Sequence, residues 1–402
     1  MLEHWIWFAQ LNKLSNAKKQ MLLQHFSDPE DIYNCSLTEF SDLEGMTSAA
    51  LEALENKDLL PARQILNRCK REGISILTMD DENYPVRLRN TYDPPLVLYF
   101  KGILPQWEAQ PVIAVVGTRK ASGYGLSMAG WFGKQIAACG GLVVSGAAAG
   151  IDAMAMDGAL QTGNPVVGVL GCGVDRVYPA SNRELFRKVL QQGCLISEYP
   201  PGTEPRSWHF PERNRIITGL SNGVLVVEAP EKSGAMISAR CALDQGREVF
   251  VVPGNVGNPN CAGSNALLQD RAMPALSGWD VMKEYRYRWP DVVTCQQVEY
   301  SAHEETPVEP VSGNPNGESP VKTQKLDIDK EDKSTYSVLD KQQPELSQEE
   351  KTVLALVGKT PVSMDEVIAG APMGPAAVKA ILTRLSLKRL VVNHSGGRVS
   401  LK

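Results

Sequence analysis

Apolar positions in the first 70 residues recur at helical spacing: Trp5, Phe8 and Leu11, then Met21, Leu22 and Phe26, then Leu51 and Leu54. Asp28-Pro29, Gly45 and Pro61 read as breaks between them. Residues 1–70 are therefore predicted to be all-helical. Short helices joined by Gly-containing turns fit a helix-hairpin-helix or SAM-like module. They also fit a plain packing or dimerisation domain. From residue 71 to 111 the chain shows turn signals at Tyr84-Pro85 and Asp93-Pro94-Pro95, and a strand over 96–100 that ends at Gly102.

The pattern then changes. Short apolar runs at 112–116, 142–144, 166–170, 224–227 and 249–252 suit strands buried on both faces. Helical patterns lie between them, at roughly 125–139, 151–161, 182–191 and 235–245. Strand and helix in alternation predict an α/β doubly wound parallel sheet over 112–283, with 71–111 leading into it. Residues 284–345 are rich in Glu, Gln, Ser, Pro and Lys and poor in aliphatics. Such a stretch buries too little apolar surface to offset chain entropy, so it reads as an acidic, flexible linker. Helical periodicity returns at 346–357, 363–369 and 375–387. Two extended runs, 390–392 and 398–401, follow around Ser395-Gly396-Gly397. Three helices and a Gly-turn hairpin describe a winged helix over 346–402, with Lys379, Arg384, Lys388, Arg389 and Arg398 on its third helix and hairpin.

Composition narrows the function. The chain has 402 residues, 43% hydrophobic and 22% charged, as in an ordinary globular protein. It contains no long apolar run, so no membrane span is expected, and its first residues lack the pattern of a secretory signal. Eight scattered cysteines without a Cys-x-x-Cys pair predict neither a zinc site nor a disulfide framework, which fits a reducing cytoplasm. The net charge of −5 at first disfavours a polyanionic partner. Its distribution changes that picture. Residues 112–283 carry 15 basic and 13 acidic side chains, and residues 346–402 carry 8 and 4. Binding to nucleic acid therefore has to come from a local groove.

In a doubly wound sheet the loops at the carboxyl ends of the strands hold the ligand. The loop after the first core strand reads Gly117-Thr118-Arg119. A glycine turn ahead of a helix offers backbone N–H groups to an anion. Arg119 stands where a dinucleotide site needs its second glycine, and the next strand ends in Val144-Ser145-Gly146 without the acid that would hold a ribose. A guanidinium at this point suits a phosphate. The small residues of 145–152, with Gly146, permit close approach of a ligand or of a neighbouring helix, and Asp152 reads as a capping or orienting acid. Cys172 lies between glycines but has no histidine nearby in sequence to activate it. Arg213, Asn214 and Arg215 open a further helix as a phosphate clamp, beside Glu212. Ser233-Gly234 reads as an N-cap with room for an anion. No carboxylate pair and no His/Cys/Asp cluster converges on these loops, so the residues read as a site that holds phosphates and breaks no bond; neither metal nor cofactor is expected.

At these loops the sequence closely resembles the DNA processing protein A family, also called DprA or Smf. The resemblance is carried by VVGTR (115–119), SGAAAGID (145–152), GCGVDRVYPASN (171–182), SEYPPGTEP (197–205), FPERNRII (210–217), SGAMISA (233–239) and GREVFVVPGNV (246–256). It implies a Rossmann-like core that binds single-stranded DNA and helps load RecA onto it, against the block imposed by single-stranded-DNA-binding protein, in natural transformation and in recombination elsewhere. It also implies a homodimer whose surface lies at about 240–270. The family's Gly-Ser/Thr-Arg element maps onto Gly117, Thr118 and Arg119, and its Arg-Asn-Arg element onto Arg213, Asn214 and Arg215. Three departures stand out. Ala180 follows Tyr178-Pro179 where many relatives carry a basic residue, with Arg183 one helical turn further on. Arg271-Ala272 replaces Gly-Ala. The third winged-helix helix ends in 385–389, without the expected acidic-Leu-Gly. The rival reading is a nucleotide phosphoribohydrolase, a class that follows its Gly-rich element with a catalytic Glu; here 233–239 contains no acid, and Glu228 lies before it.

Overall fold

Four- and five-residue runs rich in valine form the middle of a nine-stranded sheet. Its strands are β1 Ser75–Thr78, β2 Val97–Gly102, β3 Val112–Val116, β4 Leu142–Ser145, β5 Val166–Val169, β6 Cys194–Ser197, β7 Gly223–Val226, β8 Glu248–Val251 and β9 Met273–Pro274. They lie in the order β1-β2-β6-β5-β4-β3-β7-β8-β9. From β6 to β9 all pairings are parallel. The computed structural model describes residues 1–43, 45–270, 272–296 and 298–300, and in the C-terminal part 348–358, 362–374, 377–378, 381–382, 385, 390–394 and 398–401.

The central strands are buried along their whole length, because helices cover both faces, as parallel sheets require. Helices Gly123–Ala138 and Ile151–Leu160 cover one face; His209–Leu220 and Gly234–Asp244 cover the other. The expected sheet is extended by a finding. β2 pairs antiparallel with β6, and β1 antiparallel with β2, so the segment leading into the core adds two strands to the sheet's edge. The direction of chain travel across the sheet reverses at β3, which lies between β4 and β7. The loops after β3 and β7 therefore flank the switch point, where a crevice opens in such sheets.

Among the described residues, the amino-terminal part forms six helices between Leu2 and Glu72. Asp28-Pro29 starts a helix where the sequence suggested a break: the Asp28 carboxylate caps the N–H groups of Glu30 and Asp31, and Pro29 fills the first turn, where its missing N–H costs nothing. Pro61 likewise sits in the first turn of Leu60–Glu72, whose end is set by Gly73 at φ +63°. Trp5, Phe8, Leu22, Ile32 and Phe40 share one apolar cluster with Tyr99, Ile113 and Val143 of the sheet. Helices and sheet thus bury surface against each other and belong to one compact unit within residues 1–310.

Residues 284–300 correct the expected start of the linker. Tyr285, Trp289 and Val293 are buried. The Trp289 indole N–H donates to the Glu108 carbonyl at 2.9 Å, and that of Trp131 to the Val298 carbonyl at 3.0 Å. A few large apolar anchors hold an otherwise polar stretch on the core, which an average over composition hides. Residues 301–345 lie outside the described residues.

The second unit lies within residues 311–402. Helices Gln348–Ala355 and Met364–Gly370 and the strands β10 Val362–Ser363, β11 Val391–His394 and β12 Arg398–Leu401 enclose an apolar cluster that includes Val353, Val367, Ile381 and Val399. The sheet order is β10-β12-β11. Lys379, Arg384, Lys388 and Arg389 lie outside the described residues.

Candidate nucleic-acid interface

Five loops meet at the carboxyl ends of β3 to β7. The loop after β3 turns at Gly117. The Thr118 N–H donates to the Glu228 carbonyl at 2.8 Å, which ties the loop to the end of β7. Glu228 is fully buried, and its carboxylate accepts from the Ser122 N–H at 2.9 Å and from the Ser122 hydroxyl at 2.5 Å. Ser122 in turn caps helix Gly123–Ala138. Glu228 therefore pins the Gly117–Ser122 loop at both ends, by its backbone carbonyl at Thr118 and by its carboxylate at Ser122. That is a structural task, unlike the catalytic task a phosphoribohydrolase would give it.

Arg119 leaves this loop exposed to solvent. Its guanidinium lies 4.9 Å from the centroid of the Phe210 ring, and it forms no salt bridge among the described residues. Phe210 also belongs to a ring stack: Tyr178 lies against it with centroids 5.4 Å apart. Arg119, Gly146, Ala148, Leu170, Gly171, Tyr178 and Phe210 line a cavity of about 80 Å³. A single water needs roughly 10–15 Å³ on this measure, so the space has room for a group of phosphate size.

The loop after β4 is held from beneath. Arg213 is 3% exposed, and its Nη1 donates to the Gly146 carbonyl at 2.7 Å and to the Val169 carbonyl. It fastens the ends of β4 and β5 together. Asp152 is buried against the same glycine and accepts from the Ala148 N–H at 3.5 Å. Burial pushes the Asp152 carboxyl upward, and the Arg213 charge opposes that push. Burial lowers Arg213 to about 10, a value at which it stays charged at neutral pH. Asn182 donates to the carbonyls of Ala147 and Ala148 at 3.0 and 3.1 Å, and Ala147 holds the left-handed φ of 51° that this turn needs.

The clamp expected of the Arg-Asn-Arg element is not formed by free side chains. Arg213 is spent on strand-end carbonyls. Asn214 is buried and donates to the Gly234 carbonyl at 3.2 Å. Arg215 pairs with Glu198 at 2.7 Å and Asp93 at 3.1 Å. The sequence held a signal for this. Arg213, Ile216, Ile217 and Leu220 follow helical spacing, and the three aliphatics are fully or almost fully buried; Arg213 shares their face. Ser233 begins Gly234–Asp244, but its buried hydroxyl caps nothing and has no partner among the described residues. Gly234 is exposed, with open space around it. Cys172 is buried, and burial pushes its thiol up to about 11, which favours the protonated form at neutral pH.

The loop after β5 is braced by the amino-terminal helices. Arg68 of helix Leu60–Glu72 pairs with Asp175 at 2.7 Å. Asp175 is nearly buried and also accepts from the Gly202 N–H at 2.9 Å. Gly202 sits at φ +91°, with the Arg68 guanidinium where a side chain would be. Sequence reasoning missed this brace, as it missed Tyr178 and Phe210; the interleaving of aromatic and basic residues in 206–215 was the available sign of the rings.

A mostly parallel α/β core with a phosphate-sized crevice at its strand ends, followed by a unit of helices and a three-stranded sheet, defines a Rossmann-like protein with a winged helix. The chain belongs to the DNA recombination-mediator protein A family, whose model matches residues 75–286. The DprA winged helix domain matches residues 339–397. The chain is similar to Protein Smf of Synechocystis sp., 30% identical over 98% of this chain and 97% of that protein. It is also similar to DNA processing protein DprA of Bacillus subtilis, 39% identical over 55% of this chain and 74% of that one. The X-ray structure of DNA processing protein A from Streptococcus pneumoniae superimposes with a TM-score of 0.62 at 31% identity, covering 71% of this chain and 98% of that chain. No helix among the described residues is long and apolar enough to cross a membrane.

Proposed function

We propose that the crevice at the ends of β3 to β7 binds single-stranded DNA and carries out no bond-breaking step. The observation that carries this reading is Arg119: a solvent-exposed guanidinium that forms no salt bridge among the described residues, set over an aromatic stack beside a glycine-lined cavity with room for a phosphate. A phosphate meets the guanidinium and the loop N–H groups; a base meets the face of a ring. Gly117 and Thr118 shape the loop. Gly146, Arg213, Asn214 and Arg215 act from below by fixing the loop ends, and Ser233 and Gly234 leave an open helix start on the rim. An unpaired strand fits this arrangement because it exposes base faces. The binding is expected to tolerate any sequence and to weaken steeply with salt. Fluorescence anisotropy with labelled oligo-dT and with duplex of equal length, across a salt series, tests it. Preference for duplex, or indifference to salt, contradicts it.

Family membership supports the finer role: a mediator that loads RecA on strands coated by single-stranded-DNA-binding protein, in transformation or recombination. The assay is RecA filament assembly on coated oligonucleotide with and without this chain. A homodimer through the 240–270 region is part of the same proposal; Leu243 and Val256 lie exposed there. Its eight cysteines are all free, as suits a cytoplasmic site of action.

A further inference from the structure

Two residues before Phe210, at the start of the same helix, lies a second plate of the same design. Trp208 is 55% exposed, and the Arg206 guanidinium lies 5.3 Å from its ring centroid. The ring is braced from behind: it meets His209 edge-on at 5.8 Å, and His209 is buried, stacked on Tyr199 at 4.0 Å, with its Nδ1 3.1 Å from the Gly171 carbonyl. The acids nearby are occupied. Glu204 pairs with Arg176 at 2.7 Å, and Glu212 accepts from the Tyr199 hydroxyl at 2.8 Å. Arg206 has no carboxylate partner among the described residues.

Trp208 is a half-exposed indole with an unneutralised guanidinium over its ring. This is the arrangement that receives a nucleobase on the ring and the adjoining phosphate on the cation. Trp208 has helical backbone angles and directly precedes His209–Leu220, the helix that carries Phe210. We propose that Trp208 and Arg206 form a second base platform, so that the strand leaves the Arg119 crevice across the start of helix His209–Leu220. This rests on the reading of the crevice as a single-stranded DNA site, and it adds the direction of the strand and the stacking of a base.

The test compares full-length wild type with Trp208→Ala, Trp208→Phe, Arg206→Ala and Arg119→Ala, on oligo-dT and on an abasic oligonucleotide of equal length. Trp208 is exposed, so its replacement does not threaten the fold. Trp208→Ala is expected to weaken oligo-dT binding about tenfold and to leave abasic binding unchanged. Trp208→Phe retains wild-type affinity but loses the fluorescence quenching that Trp208 contributes. Arg206→Ala weakens both ligands. If Arg119→Ala loses binding while Trp208→Ala keeps it, or if Trp208→Ala weakens both ligands equally, the platform is overturned and the crevice reading stands. If wild type binds neither ligand, both fall. A change in oligomeric state at unchanged DNA affinity assigns the ring to a protein contact and also overturns the platform.

Discussion

Arg119 leaves the loop after β3 with its guanidinium in solvent above Phe210, whereas Arg213, beneath the same crevice, is 3% exposed and donates into the ends of β4 and β5. Both are arginines in a motif that suggests phosphate. What separates them is the face on which each stands: Arg213 shares the buried stripe of Ile216, Ile217 and Leu220, and Arg119 stands on a loop pinned by Glu228. The difference teaches that a cation near a glycine-rich loop either meets the ligand or builds the wall that meets it, and burial decides which. Stability and affinity are therefore expected to separate between the two residues.

The largest effect is expected from Arg213→Ala. It leaves Asp152 buried without the charge that offsets its burial, at a cost of about 3–5 kcal/mol in folding stability. Guanidinium chloride melts measure this, and Asp152→Ala in the same background is expected to return part of it. An unchanged midpoint would refute the assignment. Next comes Lys19, another buried cation, 4% exposed and donating to the Ala9 carbonyl at 2.6 Å. Burial lowers it from 10.5 to about 8, with Glu198 and Asp93 opposing. Between those values the unfolded chain holds a proton that the folded chain has released, so stability rises as pH climbs from about 8 to 10.5. The span is about 3 kcal/mol, and Lys19→Met is expected to flatten that rise in melts across the window. Unlike Arg213, a lysine escapes its buried charge by losing the proton.

Arg119→Ala is expected to weaken oligo-dT binding by about 1–3 kcal/mol with no shift in the melting midpoint; anisotropy and thermal melts on the same sample check both halves. The smallest effect sharpens the comparison most. Arg119→Ala should lower the salt slope of binding by about one, while Arg215→Ala, which removes partners of Glu198 and Asp93, should leave the slope alone. Equal slopes for the two variants would erase the distinction between ligand contact and wall.

Much of the architecture was legible because buried parallel strands write themselves as valine runs: 112–116, 142–144 and 224–227 all mark strands. The edge was not legible. The 96–100 run read as a strand, but its pairing with β6 joins segments far apart in sequence, and β1 carries no valine run to mark it. Likewise Gly117-Thr118-Arg119 marked the loop after β3, but nothing in Arg-Asn-Arg alone showed that Glu198, Asp93 and two backbone carbonyls would claim its arginines. Those partners come from other loops, and only tertiary packing brings them within hydrogen-bond distance. The anchors Tyr285, Trp289 and Val293 were hidden for the opposite reason: three good contacts vanish in a polar average.

The pairing of Arg68 with Asp175, 107 positions apart, bears on how this chain can be dissected. A shortened protein beginning after Glu72 would leave Asp175 with only the more distant Arg176 as its cation and the Gly202 turn without its neighbour. Weaker binding by that fragment would then be mistaken for lost ligand contacts, when what had gone was scaffolding. Dissection by point substitution at Arg68, with the amino-terminal helices left in place, keeps the two apart.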